Sequence, residues 1–138
     1  MYRLYSKGCQ YTLRALMYFP LSAQKNNVTA RDLCRKARIP EAYTRKIMQT
    51  LTQAGVLKAV SGPGGGYQLS RAPEEISLFD IITAVDGANT FNKCSLGMRR
   101  CSNTDSCPLY GPCLKAKTVL LTELKKQSIA GLISLQKK

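Results

Sequence analysis

The feature that most constrains the fold is the order of helix and hairpin signals in residues 28–71. Thr29 and Asp32 form a T-x-x-D capping pattern, which predicts the start of a short helix. A second helix is predicted from Pro40, because proline is tolerated in a first helical turn, and Gly55 is a natural stop. The segments VLKAV and GYQLS, on either side of the loop SGPGG, predict a β-hairpin. The sequence therefore predicts a mainly α fold with a small β-hairpin wing, a winged helix-turn-helix.

Positive charge is concentrated in the same half of the chain. The net charge is +13, of which residues 1–72 carry +10 and residues 73–138 carry +3. A basic domain of this kind favours a polyanionic partner, because phosphate contacts release counterions. On charge alone, a basic surface that only maintains solubility and a surface for anionic lipid are alternatives to nucleic acid.

Three more helices are predicted outside this segment. Residues 6–23 have apolar side chains at three- and four-residue spacing, which indicates a helix with one buried face. Ser77 and Asp80 repeat the capping pattern, and Gly87 ends that helix. Residues 114–136 predict one long helix with an apolar stripe and little chain left to cover it, which favours pairing with a second protomer over packing onto its own domain.

The predicted elements divide the chain into two parts. Residues 1–76 form the predicted winged helix-turn-helix DNA-binding domain. Residues 77–138 form a cysteine-loop and dimerisation region, with the loop at 94–113 and the long helix at 114–136.

Four of the six cysteines lie within twenty residues, at Cys94, Cys101, Cys107 and Cys113. No histidine is present, so a Cys/His zinc finger cannot form, and the gaps are wider than those of zinc knuckles. Thiolates are soft ligands suited to iron–sulfur centres, so the residues favour a cluster. A redox dithiol or disulfide switch, a zinc site and inert thiols are the alternatives.

Enzyme classes find little support in the sequence. There is no P-loop, no dinucleotide-binding glycine pattern and no nucleophile elbow. No apolar run approaches the about 20 residues that cross a bilayer, so no membrane partner is expected. A cytoplasmic protein that is not an enzyme is predicted; a thiol oxidoreductase or metal carrier is the competing class.

Several long motifs resemble one family of regulators. SKGCQYTLRAL, AYTRKIMQTLTQAGVLKAVSGPGGGYQLSR and ISLFDIITAVDG, followed by the cysteine loop, are similar to the IscR/NsrR-type (Rrf-type) transcriptional regulators. The resemblance covers nearly the whole chain. It implies a dimeric winged-helix transcription factor of which many members carry an iron–sulfur cluster.

The resemblance also implies which residues contact DNA. The helix from Pro40 would enter the major groove, where arginine or lysine suits guanine. The wing would approach the minor groove; some relatives have an arginine at the place of Ser61, so here a backbone contact is expected. The DNA-binding candidates are Arg31, Ala42, Tyr43, Arg45, Lys46, Gln49, Ser61, Gly64, Gly65 and Tyr67.

For the cluster, the resemblance implies three ligands, Cys94, Cys101 and Cys107. In some relatives a histidine follows the third cysteine, but Tyr110 stands there in this chain. The fourth ligand is then Cys113 or Cys9 of the opposite protomer. A [2Fe–2S] centre is favoured over [4Fe–4S]. Some members have no cluster and respond to thiol oxidation or metabolites instead.

Residues and resemblance together predict a sequence-specific DNA-binding regulator. A homodimeric repressor on a pseudo-palindromic operator is expected, with double-stranded DNA as its partner. Cluster gain, loss or oxidation would control operator binding in response to iron, nitric oxide or redox state. A cluster-free thiol- or metabolite-responsive regulator of the same fold is the alternative.

Overall fold

The computed structural model describes residues 5–20, 27–92 and 107–136. Six α-helices and one two-stranded sheet lie in these ranges, with short 3₁₀ turns at Pro73–Glu75 and Thr90–Asn92. In chain order they are α1 Lys7–Leu16, α2 Ala30–Ala37, α3 Glu41–Gln53, β1 Leu57–Val60, β2 Gly66–Leu69, α4 Leu78–Asp86, α5 Tyr110–Lys126 and α6 Ile129–Gln136.

The predicted helix starts are confirmed at atomic detail. The Thr29 side chain accepts a hydrogen bond from the Asp32 backbone N–H at 3.1 Å and caps α2. At the start of α4 the Ser77 hydroxyl accepts from the Asp80 N–H at 3.0 Å, and the Asp80 carboxylate accepts from the Ser77 N–H at 3.3 Å. Each bond satisfies a backbone donor that a helix end leaves without a partner.

The turn between α2 and α3 is tight, and a hydrogen bond from α1 holds it. Arg38 adopts a left-handed conformation at φ 55° and ψ 54°, which ends α2, and its N–H donates to the Cys34 carbonyl. The Arg14 guanidinium of α1 donates to the Arg38 carbonyl at 3.2 Å. The chain then enters α3 after Pro40, as the sequence predicted.

The hairpin is confirmed, and it gains a pairing that the sequence analysis does not anticipate. β1 and β2 pair antiparallel from Leu57 opposite Leu69 to Val60 opposite Gly66. Val28, before α2, exchanges two backbone hydrogen bonds with Tyr67, at 2.9 and 2.8 Å. This bridge fastens the base of the wing to the helix-turn-helix.

One hydrophobic core joins the helix-turn-helix to the C-terminal helix. Its members come from α1, α2, α3, the hairpin, α4 and α6. The division predicted at residue 76 stays a prediction, and the core draws side chains from both sides of it. The fully buried large side chains include Leu16, Phe19, Leu33, Met48, Leu51, Ile76, Ile81, Ile129 and Ile133.

Two helix predictions need correction. The single helix over 114–136 is two helices, α5 and α6, and α5 begins before Cys113, at Tyr110. The break has a tertiary cause: the Gln127 carbonyl accepts from the Leu78 N–H, and the Ile129 N–H donates to Ile76, both at 2.9 Å. The helix predicted over 6–23 ends at Leu16.

Candidate DNA interface and cysteine segment

Helix α3 has one buried face and one exposed face. Thr44, Ile47, Met48 and Leu51 are buried against the core. The predicted DNA contacts of α3 lie on the opposite side and are exposed: Ala42, Tyr43, Arg45, Lys46 and Gln49. Because the buried face fixes the rotation of the helix about its axis, the exposed set is presented as one surface.

Tyr43, within this set, is 37 % exposed. Its ring meets Tyr11 of α1 edge to face, with ring centroids 5.2 Å apart and an interplanar angle of 74°. The Tyr43 hydroxyl lies against Gly8, where a Cβ would collide with it. Tyr43 is therefore held by α1 while one edge stays accessible.

Arg45 has an intrahelical partner that the sequence analysis missed. The Glu41 carboxylate accepts from the Arg45 guanidinium at 2.8 Å, and both side chains are largely exposed. The four-residue spacing on a helix was the available signal. An exposed pair of this kind adds little stability, but it orients the guanidinium within the first turns of α3.

The wing is shaped by glycine. Gly65 has the Val60 and Gly62 carbonyls so close that a Cβ has no room, and its N–H donates to Gly62 at 2.9 Å. Ser61 and Gly64 at the tip are exposed, whereas Gly65 and Tyr67 are half-buried. Tyr67 also packs on the core, so part of its role is structural.

Asn27 braces the wing and was not among the predicted site residues. Its amide donates to the Gly64 carbonyl at 2.6 Å, and its side-chain oxygen accepts from the Gln68 amide at 2.5 Å. These bonds link the strand-like segment before α2 to the tip of the hairpin.

The candidate surface is strongly basic. Arg31 is exposed in the first turn of α2, and Arg35, Lys36 and Arg38 are exposed farther along. Between residues 27 and 60 the only acidic residues are Asp32 and Glu41. The predicted DNA-binding residues are thus placed on α2, α3 and the wing, three elements that pack in sequence order.

The structure describes two of the four clustered cysteines. Cys94 and Cys101 lie outside the described residues. Cys107 and Cys113 are half-buried and flank the start of α5, where the Tyr110 N–H donates to the Cys107 carbonyl at 3.1 Å. Within 5–20, 27–92 and 107–136, no three cysteine or acidic side chains are grouped closely enough to hold a metal ion.

The start of α5 has no acidic side chain near its N–H groups. Its first turn has no acidic residue, and no side chain caps those N–H groups. The positive end of the helix dipole is therefore not neutralised by a side chain of that turn.

Cys9 has the opposite environment. It is fully buried in α1, and burial, followed by the nearby Asp86 carboxylate, raises the pKa of its thiol to about 12. Cys34 is half-buried, and its S–H donates to the Ile39 carbonyl at 3.0 Å.

Helix α5 buries none of its 17 residues. Large apolar side chains remain exposed on or just before it: Leu109 at 40 %, Leu114 at 44 % and Val119 at 66 %. In the described ranges, no helix is both long and apolar enough to cross a membrane.

Comparison with known proteins connects these features. The Rrf2 family model, described as an iron-dependent transcriptional regulator, matches residues 5–135. A putative HTH-type transcriptional regulator of Aquifex aeolicus is 28 % identical over 98 % of this chain and 94 % of its own length. One from Haemophilus influenzae is 36 % identical over 76 % of this chain and 69 % of its own length.

Other similar proteins have more specific names. The HTH-type transcriptional regulator IscR of Aliivibrio salmonicida is 34 % identical over 76 % of this chain, which spans 61 % of that protein. Among solved structures, the global cysteine regulator CymR of B. subtilis superposes with a TM-score of 0.77 at 18 % identity, covering 98 % of both chains. T. potens IscR gives 0.74 at 22 % identity, covering 96 % of this chain and 85 % of that one. The solved structures agree on the winged-helix fold, and the named relatives are transcriptional regulators rather than enzymes.

Proposed function

Because the chain belongs to the Rrf2 family of transcriptional regulators, we propose that it binds a pseudo-palindromic operator as a homodimer under the control of an iron–sulfur cluster. The observation that carries the DNA-binding part is the exposed basic face of α3, fixed by a fully buried opposite face. Gene repression is the proposed outcome of operator binding.

Helix α3 is the proposed recognition helix. In helix-turn-helix proteins the second helix places its early residues against base edges in the major groove. Arg45 and Lys46 suit the guanine acceptors there, and the Glu41 carboxylate suits a cytosine amino group. Arg31 on α2 is placed to contact phosphate, which positions the protein without carrying sequence information.

The wing is the proposed second contact. Ser61 and Gly64 are exposed at its tip, and the chain has no arginine there to read the minor groove. Backbone N–H groups at glycine-rich positions can approach phosphates closely because no side chain intervenes. A backbone contact is therefore proposed for Ser61 and Gly64, while Gly65, whose N–H donates to Gly62, shapes the tip and Tyr67 supports the strand behind it.

A second copy of the chain is the proposed partner of α5. A 17-residue helix without one buried residue is unusual in a chain that otherwise has a closed core. Its exposed apolar side chains, Leu114 and Val119 among them, fit a self-complementary two-fold interface. Two recognition helices related by a two-fold axis require a pseudo-palindromic site.

The proposed cluster ligands are Cys94, Cys101, Cys107 and Cys113. Cys107 and Cys113 fit the group, since both are partly accessible and adjoin the positive end of α5. The names of the IscR relatives point to the same branch of the family. The complete burial of Cys9 within its own chain favours Cys113, which is partly accessible, as the fourth ligand. When bound, a [2Fe–2S] centre would supply a redox-active group that iron supply, oxygen or nitric oxide can alter.

Binding-site selection from random duplexes tests the DNA-binding part. We expect the protein to enrich a pseudo-palindromic sequence. Arg45→Ala should then weaken binding to that duplex by about 1–3 kcal/mol, roughly 5- to 150-fold, and relax the preference at one base pair per half-site. Arg71→Ala, which removes an exposed arginine outside α2, α3, the wing and α5, is the matched control and should have little effect. Failure to enrich any sequence would contradict operator recognition.

Anaerobic purification tests the cluster. We expect visible absorption with stoichiometric iron and acid-labile sulfide, retained in Cys9→Ala and Cys34→Ala and lost in Cys113→Ala. Loss in Cys9→Ala with retention in Cys113→Ala would assign the fourth ligand to the opposite protomer instead. A colourless wild-type protein whose operator affinity still changes on thiol oxidation would identify the cluster-free alternative.

A further inference from the structure

One hydrogen-bonded joint ties the end of α4 to the start of α1. Asp86 is the last residue of α4, and Ser6 is the N-cap of α1. The Asp86 carboxylate accepts from the Ser6 backbone N–H at 2.9 Å and from the Ser6 hydroxyl. The same hydroxyl accepts from the Cys9 N–H at 3.1 Å, so the joint also organises the first turn of α1.

Asp86 is poorly placed for the stability of its own helix. The C-terminal end of a helix carries partial negative charge, so a carboxylate there is disfavoured by the dipole. A carboxylate at that position, turned toward another helix 80 residues away in sequence, indicates a tertiary role.

The α1 side of the joint leads to the recognition helix. Gly8 follows Ser6 by two residues and lies so close to the Tyr43 hydroxyl that a Cβ would collide with it. Tyr11, one turn farther along, meets the Tyr43 ring edge to face at 5.2 Å. A movement of the first turn of α1 would therefore displace Tyr43 on the exposed face of α3.

The α4 side of the joint leads to α5. Phe79 of α4 stacks on Phe91 at 6.1 Å, and the Lys125 ammonium of α5 lies 4.9 Å from the Phe79 ring centre. The Leu78 N–H is bonded to the Gln127 carbonyl just after α5. The first turn of α4 therefore contacts the last turn of α5, and the last residue of α4 is hydrogen-bonded to α1.

A cleft of about 160 Å³ separates the three helices at the joint. Its lining includes Ser6 and Gly8 of α1, Tyr43 and Lys46 of α3, and Val85 and Asp86 of α4. The cleft leaves open space beside Tyr43 and Lys46, although α3 and α4 also contact each other directly. On this side the first turn of α3 is positioned by α1 through Tyr43.

We propose that Asp86 is a positioning residue that transmits the state of the α4–α5 unit through Ser6 and Gly8 to Tyr43 on α3. The inference rests on the proposed function, since cluster ligation at Cys107 and Cys113 would shift α5 as one rigid helix, from its start to Lys125 in its last turn. Asp86 thereby controls how differently the cluster-loaded and cluster-free proteins bind DNA. It is not a ligand and does not touch DNA.

The test compares operator affinity of the cluster-loaded and cluster-free proteins, using the full chain and a duplex selected from random sequence by the wild type. The wild-type ratio of affinities should be about 5-fold or more, the lower end of common coupling energies. Asp86→Ala should bring this ratio close to one while cluster content is retained. Glu74→Ala removes an exposed carboxylate from the 3₁₀ turn before α4, outside these contacts, and should keep the wild-type ratio.

Gly8→Ala keeps the inference testable if Asp86→Ala does not fold. The added methyl group would clash only with the far end of the Tyr43 side chain, which can rotate away, and would lie 3.7 Å from the Ser6 hydroxyl oxygen, an ordinary contact, so the protein should fold. We expect this variant to lose the wild-type ratio as well, with the Asp86 joint intact. A wild-type ratio that persists in both variants would overturn the role of Asp86 and leave cluster control standing, whereas a wild-type ratio of one would overturn both.

Discussion

The two parts of this protein differ in how far their apolar side chains are buried. In the head, made of α1, α2, α3, the hairpin, α4 and α6, apolar side chains form one closed core. In the arm, α5, no residue is buried and Val119 is 66 % exposed. Burial of apolar surface is the main driving force of folding, so the head is stabilised from within the chain. The apolar side chains of the arm would contribute to stability only if another surface covered them.

Helix α6 sharpens this contrast because it follows the arm directly. Ile129 and Ile133 are fully buried in the head, although α6 has only eight residues. The chain therefore leaves the core for the length of α5 and returns to it. Apolar exposure is greatest along α5, and it reappears at the end of α6, where Leu135 is 59 % exposed.

The largest expected effect breaks the head. Leu51 is fully buried in α3, and Leu51→Ala should lower the free energy of unfolding by about 2–5 kcal/mol through lost burial and the cavity left behind. Val119→Ala in the arm is the matched truncation and should change the unfolding of the monomer by less than about 0.5 kcal/mol. Urea unfolding at low protein concentration measures both; equal losses would contradict the division into head and arm.

Much of the head could be predicted because its signals are local. The caps at Thr29 and Ser77 and the glycine-rich hairpin follow from short-range chemistry, and the structure confirms them. The break between α5 and α6 could not be predicted from Gln127 and Ser128, since neither is a strong helix breaker. Pairing with the segment before α4 decides it.

The second prediction breaks the arm without touching the head. Val119→Lys places a charge in the proposed interface and should weaken dimerisation by about 2 kcal/mol or more, the level at which a residue counts as a binding hot spot. Sedimentation of wild type and variant over a concentration series measures the shift. Ser134→Lys adds the same charge to an exposed site on α6 and should leave the association unchanged. A wild type that stays monomeric would contradict the proposed use of α5.

The parts of the candidate site that depend on residue type could be predicted from the sequence. The contacts that depend on tertiary packing could not. Arg45, Lys46 and Gln49 follow from a basic helix with one apolar face, and the structure places them on its exposed side. The contacts of Asn27 with the wing and of Ser6 with Asp86 join residues 37 to 80 positions apart. Sequence alone gives no signal for such pairs.

The third prediction concerns the pH dependence of the free energy of unfolding, to which the Cys9 thiol of the head contributes. The Cys9 thiol titrates near 9 when unfolded, and burial with the adjacent Asp86 raises its pKa to about 12 in the folded head. A group whose pKa is higher in the folded state stabilises the protein fully at pH values below its unfolded pKa. This stabilisation is lost as pH rises toward the folded pKa. Between pH 9 and 10 the free energy of unfolding should fall by up to about 1 kcal/mol.

The raised pKa of Tyr5 also lowers the free energy of unfolding as pH rises, but at higher pH. Comparison with Cys9→Ala therefore isolates the contribution of the Cys9 thiol. The variant will be less stable overall, but its slope between pH 9 and 10 should be shallower than that of the wild type. Val119→Ala, which removes no titratable group, should keep the wild-type slope. Parallel slopes for wild type and Cys9→Ala would show that Cys9 does not sense the burial described here.

The smallest expected effect lies at the turn that aims the recognition helix. Arg38 is the one non-glycine residue with positive φ in the part of the chain that the structure describes, and its left-handed conformation strains an L-residue. Arg38→Gly relieves that strain but gives the unfolded chain more freedom, so the net gain should be about 0.5 kcal/mol and at most about 1. The Arg14 contact survives, because it is made to the Arg38 carbonyl. Thermal unfolding measures the gain, and operator affinity should fall only modestly as one surface cation is lost; a destabilised Arg38→Gly would show that the arginine side chain itself holds the turn.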